Sequence, residues 1–278
     1  MSRFDGRVVL ITGGARGQGR SHALAFAERG ADVVLFDACQ DQPAVSYPLA
    51  TTEDLERTRK EVEALGRRCL ALQGDVRDYQ AVSDAVARAT AELGGLDVLV
   101  ANAGVASYHR MTAMPLEAWH TILDINLTGV FNAVRAAAPV MVEQGRGRII
   151  ATSSTMGRRG APNGAHYAAS KWGVIGLIKS TALDLAETGV TANVVAPTAV
   201  NTPLIQNQEV YRLFRPDLEN PTWEDALPRF TSLIPMGVPH IECADVSEAV
   251  VFLASDAARY ITGAVLDVSG GKSGAWTA

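Results

Sequence analysis

Arg7-Val8-Val9-Leu10-Ile11-Thr12-Gly13-Gly14-Ala15-Arg16-Gly17-Gln18-Gly19-Arg20 is the stretch whose reading decides the fold. Its apolar opening, without polar alternation, is the pattern of a parallel strand covered on both faces. A helical segment follows the glycines and runs through Arg29, with Gly30 at its C-cap. Glycine at 13, 17 and 19 permits a tight turn and lets backbone approach a pyrophosphate. The first helical turn then points its free N–H groups at that anion. A glycine loop alone can be a tight turn and nothing more. Between a buried strand and an amphipathic helix it predicts a nucleotide site. Further strands are predicted at Asp32–Phe36, Cys69–Gln73, Asp97–Val100, Arg148–Thr152, Val190–Val195 and Gly263–Val268. Helical segments separate most of them, which predicts an α/β fold.

The second strand ends at Asp37, where a carboxylate can accept hydrogen bonds from adenosine ribose hydroxyls. It would also repel a 2′-phosphate, and the next residue, Ala38, offers no compensating cation. Residues 39–52 form a polar, proline-containing insertion before a helix capped by Thr51 or Thr52. Between Asn102 and Lys171 lies the densest chemistry. Tyr167 and Lys171 are four residues apart, on one face of a helix. A lysine so placed can lower the pKa of a phenol. Ser154 ends a strand thirteen residues earlier, close enough in sequence to face the tyrosine across a loop. Tyr-x-x-x-Lys alone is common on surface helices; its combination with Ser154, a mid-helix Asn126 and the glycine loop is not.

These residues together resemble the short-chain dehydrogenase/reductase family, over about Arg7 to Gly271. The resemblance implies a single domain over residues 1–278, built as a Rossmann-type doubly wound parallel sheet of about seven strands with helices on both faces. Thr12-Gly13-x-x-x-Gly17-x-Gly19 matches the family's glycine loop, and Asn102-Ala103-Gly104 its turn beside the nicotinamide ribose. The catalytic residues implied are Asn126, Ser154, Tyr167 and Lys171. Asn126 distorts its helix and holds a water in a relay to the lysine. Tyr167 takes the alcohol proton, Ser154 bonds the same oxygen, and Lys171 holds the nicotinamide ribose. The cofactor implied is NAD, contacted by Gly13, Arg16, Gly17, Gln18, Gly19, Asp37, Asp75, Val76, Asn102, Ala103, Gly104, Tyr167, Lys171, Pro197, Val200 and Thr202. Arg16 dissents, since a basic residue there often accompanies NADP; Asp37 carries more weight because its repulsion is local. Where the family has Pro-Gly this chain has Pro197-Thr198.

The chain's net charge of -5 argues against nucleic acid as a partner. No uninterrupted apolar run is long enough to span a bilayer, and the N-terminus passes straight into a strand. Cys39, Cys69 and Cys243 are scattered, forming neither a disulfide framework nor a metal cluster. A cytoplasmic location is the expectation. The substrate is expected to be a small-molecule alcohol or ketone. Its pocket wall is read as Ala106, Ser107, Tyr108, Met156, Arg158, Asn163 and Trp223, with residues 201–239 as a lid. That wall has no clear acid-binding pair, which favours a neutral, terpenoid-like alcohol; Arg158 and Arg159 leave an anionic one open. By resemblance the chain forms a homotetramer through the helices of Asn126 and Tyr167 and the edge of the last strand, and Trp276 docks on a neighbouring subunit.

Arg16 to Ala23, the end of strand two, Pro48-Leu49-Ala50-Thr51 and Pro197-Thr198 are similar to one subgroup, the mycofactocin-associated, carveol-dehydrogenase-like enzymes. That similarity implies NAD held so firmly that a separate mycofactocin-type redox carrier must reoxidise it. The insertion would fold over the adenosine end. An ordinary dehydrogenase with freely exchanging NAD, a 3-oxoacyl-type reductase, dehydratase or epimerase chemistry on the same fold, and a non-catalytic nucleotide-binding scaffold are the alternatives.

Overall fold

Apolar strands with no polar face can be buried only inside a sheet covered on both sides, and that is the arrangement found. The computed structural model describes residues 4–275, so Trp276 lies outside the described residues. Seven strands, all parallel, take the order β3-β2-β1-β4-β5-β6-β7. They are β1 (Val8–Thr12), β2 (Asp32–Asp37), β3 (Cys69–Gln73), β4 (Val98–Ala101), β5 (Gly147–Thr152), β6 (Val190–Pro197) and β7 (Val265–Val268). Alternate residues of each strand enter opposite cores. Val8, Leu10, Val34 and Phe36 face one, with Val82, Ala133 and Val174; Val9, Ile11, Val33 and Leu35 face the other, with Phe26, Leu55 and Val250.

Helices α1 (Gly17–Ala27), α2 (Thr52–Ala64) and α9 (Cys243–Ala254) serve the second core. Helices α3 (Tyr79–Arg88), α4 (Leu116–Leu123), α5 (Gly129–Glu143) and α6 (Ala165–Asp184) serve the first. α2 starts with a capping box, Thr51 and Asp54 exchanging side-chain and backbone bonds. α4 and α5 are one continuous helix interrupted by a π turn at Asp124–Thr128, which contains Asn126. By length and composition this helix could cross a membrane, but Ile122, Ala133, Ala137 and Met141 are buried against the sheet. Segment 201–239 adds α7 (Gln208–Phe214) and α8 (Trp223–Ser232), which close a small core of their own around Val210, Ala226 and Phe230.

The strand order reverses between β1 and β4, where the chain leaves β1 first on one side and later on the other. Ligands bind beyond the carboxyl ends of parallel strands at such a switch point. Gly13, Asp37, Asn102 and Ser154 all follow or end strands at that edge.

Candidate active site

The glycine loop packs too closely for side chains. A Cβ on Gly19 would lie 1.9 Å from the Gly13 carbonyl oxygen, and one on Gly13, whose φ is +67°, would lie 2.9 Å from Ala103 Cα. Helix α1 therefore starts against the end of β1. Its N-cap, Arg16, makes no side-chain cap bond, and no acidic residue occupies the first turn. Nothing acidic competes there with an anion for the first N–H groups. Gln18 lines the same cleft, and its carboxamide oxygen is buried without a partner. Thr12 Oγ1 accepts from the Asn102 and Ala103 N–H groups at 3.0 and 3.1 Å, and Asn102 Nδ2 donates to the Thr12 carbonyl at 3.1 Å. These bonds hold the two loops edge to edge as one cradle.

Asp37 sits at the far end of the cleft. One carboxylate oxygen accepts from Ala15 N at 3.0 Å and the other from Cys39 N at 3.1 Å. Each oxygen keeps a lone pair for a ribose hydroxyl. Gly74, Asp75, Val76, Gly104 and Thr202 complete the lining. Asp75 is ion-paired with Arg77 at 2.6 Å, and Asp78 caps helix α3. Pro197 and Val200 do not line the cleft: Val200 is buried beside Ile241, which it pairs through an isolated bridge. The cradle glycines, the uncapped helix start and the Asp37 carboxylate fit a dinucleotide with an unphosphorylated adenosine ribose.

Arg16 does not point at a phosphate. Its guanidinium donates to the Pro48 carbonyl, within the insertion. The insertion itself forms a wall of the cleft through Gln40, Gln42, Tyr47, Leu49 and Ala50. It also reaches past the adenosine end. The Tyr47 hydroxyl accepts from Ala106 N at 3.1 Å, both residues being buried. Ser46 Oγ donates to Glu209 on α7, and the other Glu209 oxygen accepts from Tyr108 N at 3.2 Å. One carboxylate thus joins the insertion, the loop after β4 and α7. Sequence reading missed Tyr47 and Glu209; a lone large aromatic in a polar insertion is the signal that marks Tyr47.

At the other end of the cleft the four expected catalytic residues come together. Ser154 follows β5 and lines the same cavity as the Tyr167 phenol, close enough to oppose the rise in its pKa; its Oγ accepts from Met156 N at 3.1 Å. Lys171, one turn after Tyr167, places Nζ 5.7 Å from the phenol ring centre and donates to the Thr152 carbonyl at 2.9 Å. Asn126 clamps Val105 from both sides: Oδ1 accepts its N–H and Nδ2 donates to its carbonyl, each at 2.9 Å. The π turn swings this side chain out of the helix repeat and toward the loop after β4. Gly104 lies between the groups. A Cβ there would sit 3.3 Å from Asn126 Oδ1 and 3.4 Å from Lys171 Nζ.

The expectation that Lys171 depresses the Tyr167 pKa is outweighed by desolvation. The partly buried Tyr167 phenol is pushed up to about 12 by the loss of water around it, with neighbouring Ser154 opposing. Burial likewise takes the Lys171 ammonium down to about 8. The ammonium is directed at the Thr152 carbonyl rather than at the phenol oxygen.

A second cavity, of about 420 Å³, opens from Ser154 and Tyr167 under α7 and α8. Tyr108, Met156 and Asn163 line it as read from sequence, with Leu204, Ile205, Val210 and Phe214. Three expected wall residues do not, and a fourth is replaced. Ala106 is buried and engaged with Tyr47. Ser107 is buried against His166, 3.0 Å away. Trp223 packs inside the 201–239 segment on Phe230 and His240, at 5.0 and 5.6 Å between rings. Arg158 turns to β7 and pairs with Asp267 at 3.5 Å, while its neighbour Arg159 lines the cavity.

A seven-stranded parallel sheet with a glycine cradle at its switch point and a serine, tyrosine and lysine beyond defines a nucleotide-dependent oxidoreductase fold. The profile described as short chain dehydrogenase matches residues 7–211, and the chain belongs to that family. It is 47% identical to (-)-trans-carveol dehydrogenase of Rhodococcus erythropolis over 98% of this chain and 99% of that one. Its fold superposes with a TM-score of 0.95 on carveol dehydrogenase from Mycobacterium avium in complex with NAD, at 43% identity, covering 98% and 99% of the two chains. A short chain dehydrogenase from Mycobacterium paratuberculosis bound to NAD gives 0.89 at 36% identity, covering 98% and 99%. The chain is therefore an enzyme of the short-chain oxidoreductases, acting on CH–OH groups.

Proposed function

We propose that the chain interconverts a secondary alcohol and a ketone on a hydrophobic, terpenoid-like body, using NAD that it releases slowly. The observation that carries this reading is the placement of Ser154 and Tyr167 in the wall of a cavity, beside Lys171 and the Gly104 edge of a dinucleotide cleft. When bound, NAD supplies the hydride acceptor or donor, for which the chain has no group of its own. Gly13, Gly17 and Gly19 admit the pyrophosphate, Asp37 the ribose hydroxyls, and Lys171 the nicotinamide ribose. Tyr167 moves the proton. The Tyr167 phenol is neutral near pH 7, so it stands ready to protonate a carbonyl oxygen as that carbon gains hydride. In the oxidative direction it must first give its own proton to solvent, and as phenolate it then takes the carbinol proton, with Ser154 beside the same oxygen in both directions. The space between Gly104, Asn126 and Lys171 suits a water that passes the proton on.

Slow release rests on the insertion. Arg16–Pro48, Tyr47–Ala106 and Ser46–Glu209 pin it across the cleft as a strap, and segment 201–239 serves as the substrate lid. A cofactor held in this way needs a separate redox carrier of the mycofactocin type to reoxidise it. The assembly is a homotetramer: Phe131 on α5 and Trp172 on α6 are large apolar side chains left exposed on the two helices expected to form its interface. The setting is the cytoplasm, consistent with three free cysteines. The test is a panel of cyclic secondary alcohols given to protein purified without added nucleotide. Near-stoichiometric NAD should survive dialysis, and an artificial electron acceptor should support oxidation where added NAD is reduced poorly. Cofactor-free protein that turns over added NAD rapidly would leave an ordinary exchanging dehydrogenase.

A further inference from the structure

The cavity beyond Tyr167 has a mixed wall. Besides Ser154, Tyr167 and many aliphatic and aromatic side chains, its wall holds Arg159, Arg229 and Lys272, brought from three separate parts of the chain. No aspartate or glutamate lines it. Among the described residues, neither Arg229 nor Lys272 has a carboxylate within 4 Å. Asp225, one turn before Arg229 on α8, is held by Thr222 and Arg215, and Asp267 pairs with Arg158. Half-buried Lys272 and solvent-exposed Arg229 therefore present positive charge to the cavity, and an anion entering it would be attracted to both.

We infer that the substrate carries an anionic group, a carboxylate or phosphate, which Lys272 and Arg229 hold while the carbinol carbon meets Tyr167. This rests on the dehydrogenase reading above and replaces the neutral substrate that the sequence favoured. Lys272 is pushed down to about 8 by burial and by the nearby Arg159 charge, the condition a bound anion would reverse. The aliphatic and aromatic side chains of the same wall, Leu204, Ile205, Val210 and Phe214 among them, set the class: an alicyclic or branched hydroxy acid or keto acid, or an acyl thioester whose carrier brings the phosphate.

The test compares hydroxycycloalkyl carboxylates of increasing side-chain length with their methyl esters and coenzyme A thioesters, in wild type and in a Lys272→Gln, Arg229→Gln double variant. Oxidation is followed by dye reduction with NAD present. The acid should exceed its ester in kcat/KM by about tenfold or more in the wild type, as expected for a charge-assisted contact. The double variant should lose that preference, its kcat/KM for the acid falling to or below that for the ester, with its unfolding temperature near wild type. A thioester preferred over the acid, and lost in the same variant, would support the inference with phosphate as the anion. An ester that matches or exceeds both would overturn it, as would an anion preference that survives in the variant. No turnover of any alcohol, neutral ones included, would instead remove the reading of the site on which the inference rests.

Discussion

Replacing Tyr47 with phenylalanine removes one oxygen from the strap and leaves its ring in place. In the wild type that oxygen accepts from Ala106 N at 3.1 Å, and both residues are buried, Ala106 completely. Without it the Ala106 N–H faces an apolar edge whenever the strap is closed, but finds water when the strap opens. A buried donor stranded in this way costs about 1–3 kcal/mol. The closed state loses that amount relative to the open one, so the open population rises about five- to 150-fold. If NAD leaves only through the open state, its release rate rises by the same factor. Glu209→Gln provides an independent arm, because it weakens the carboxylate that accepts from both Ser46 and Tyr108. The assay is the rate at which purified protein loses its bound cofactor to a scavenging enzyme, with thermal stability as the control for global damage. A release rate unchanged in both variants would refute the idea that the strap holds the cofactor.

Gly19→Ala would place a Cβ 1.9 Å from the Gly13 carbonyl oxygen. It should cost more than about 3 kcal/mol of stability or abolish soluble expression, as read by thermal unfolding. Gly104→Ala, 3.3 Å from Asn126 Oδ1 and 3.4 Å from Lys171 Nζ, should instead unfold near the wild-type temperature while turnover falls by about tenfold or more, because the methyl takes the proton relay's space. His22 and His166 are buried, which lowers them to about 3 and about 4. The unfolded chain therefore binds more protons below pH 6.5, and stability falls as pH drops. Each histidine costs about 1.4 kcal/mol per pH unit until its folded-state pKa is reached. His22→Asn should flatten the fall of unfolding temperature between pH 6.5 and 4.

How much of this was legible in the sequence depends on what each feature answers to. Strand positions could be read to within a residue or two because both-side burial forces unbroken apolar runs, as in Val8–Thr12 and Val190–Pro197. The glycine cradle was legible because only glycine satisfies its contacts. The interruption of the Asn126 helix was legible too, since a mid-helix asparagine needs a reason. The cavity wall was not. Trp223 and Ala106 have the right composition for a substrate pocket, yet one fills a small local core and the other offers its backbone to Tyr47. Arg158 and Arg159 are adjacent in sequence and face opposite ways, a difference no periodicity encodes outside a helix or strand. The Ser46–Glu209 contact joins residues 163 positions apart, and nothing local to either announces it. The phenol's pKa was misjudged for a related reason: charge spacing along a helix is visible in sequence, whereas the burial that outweighs it is not.

The central claim is that Tyr167 transfers the proton in alcohol oxidation, and Tyr167→Phe tests it most directly. With the bound NAD content measured on the same preparation, the variant should keep its cofactor and oxidise a secondary alcohol about 10²–10⁴-fold more slowly, the loss expected for removing a general acid–base group. Turnover within a few-fold of wild type, at full cofactor content, would contradict the account.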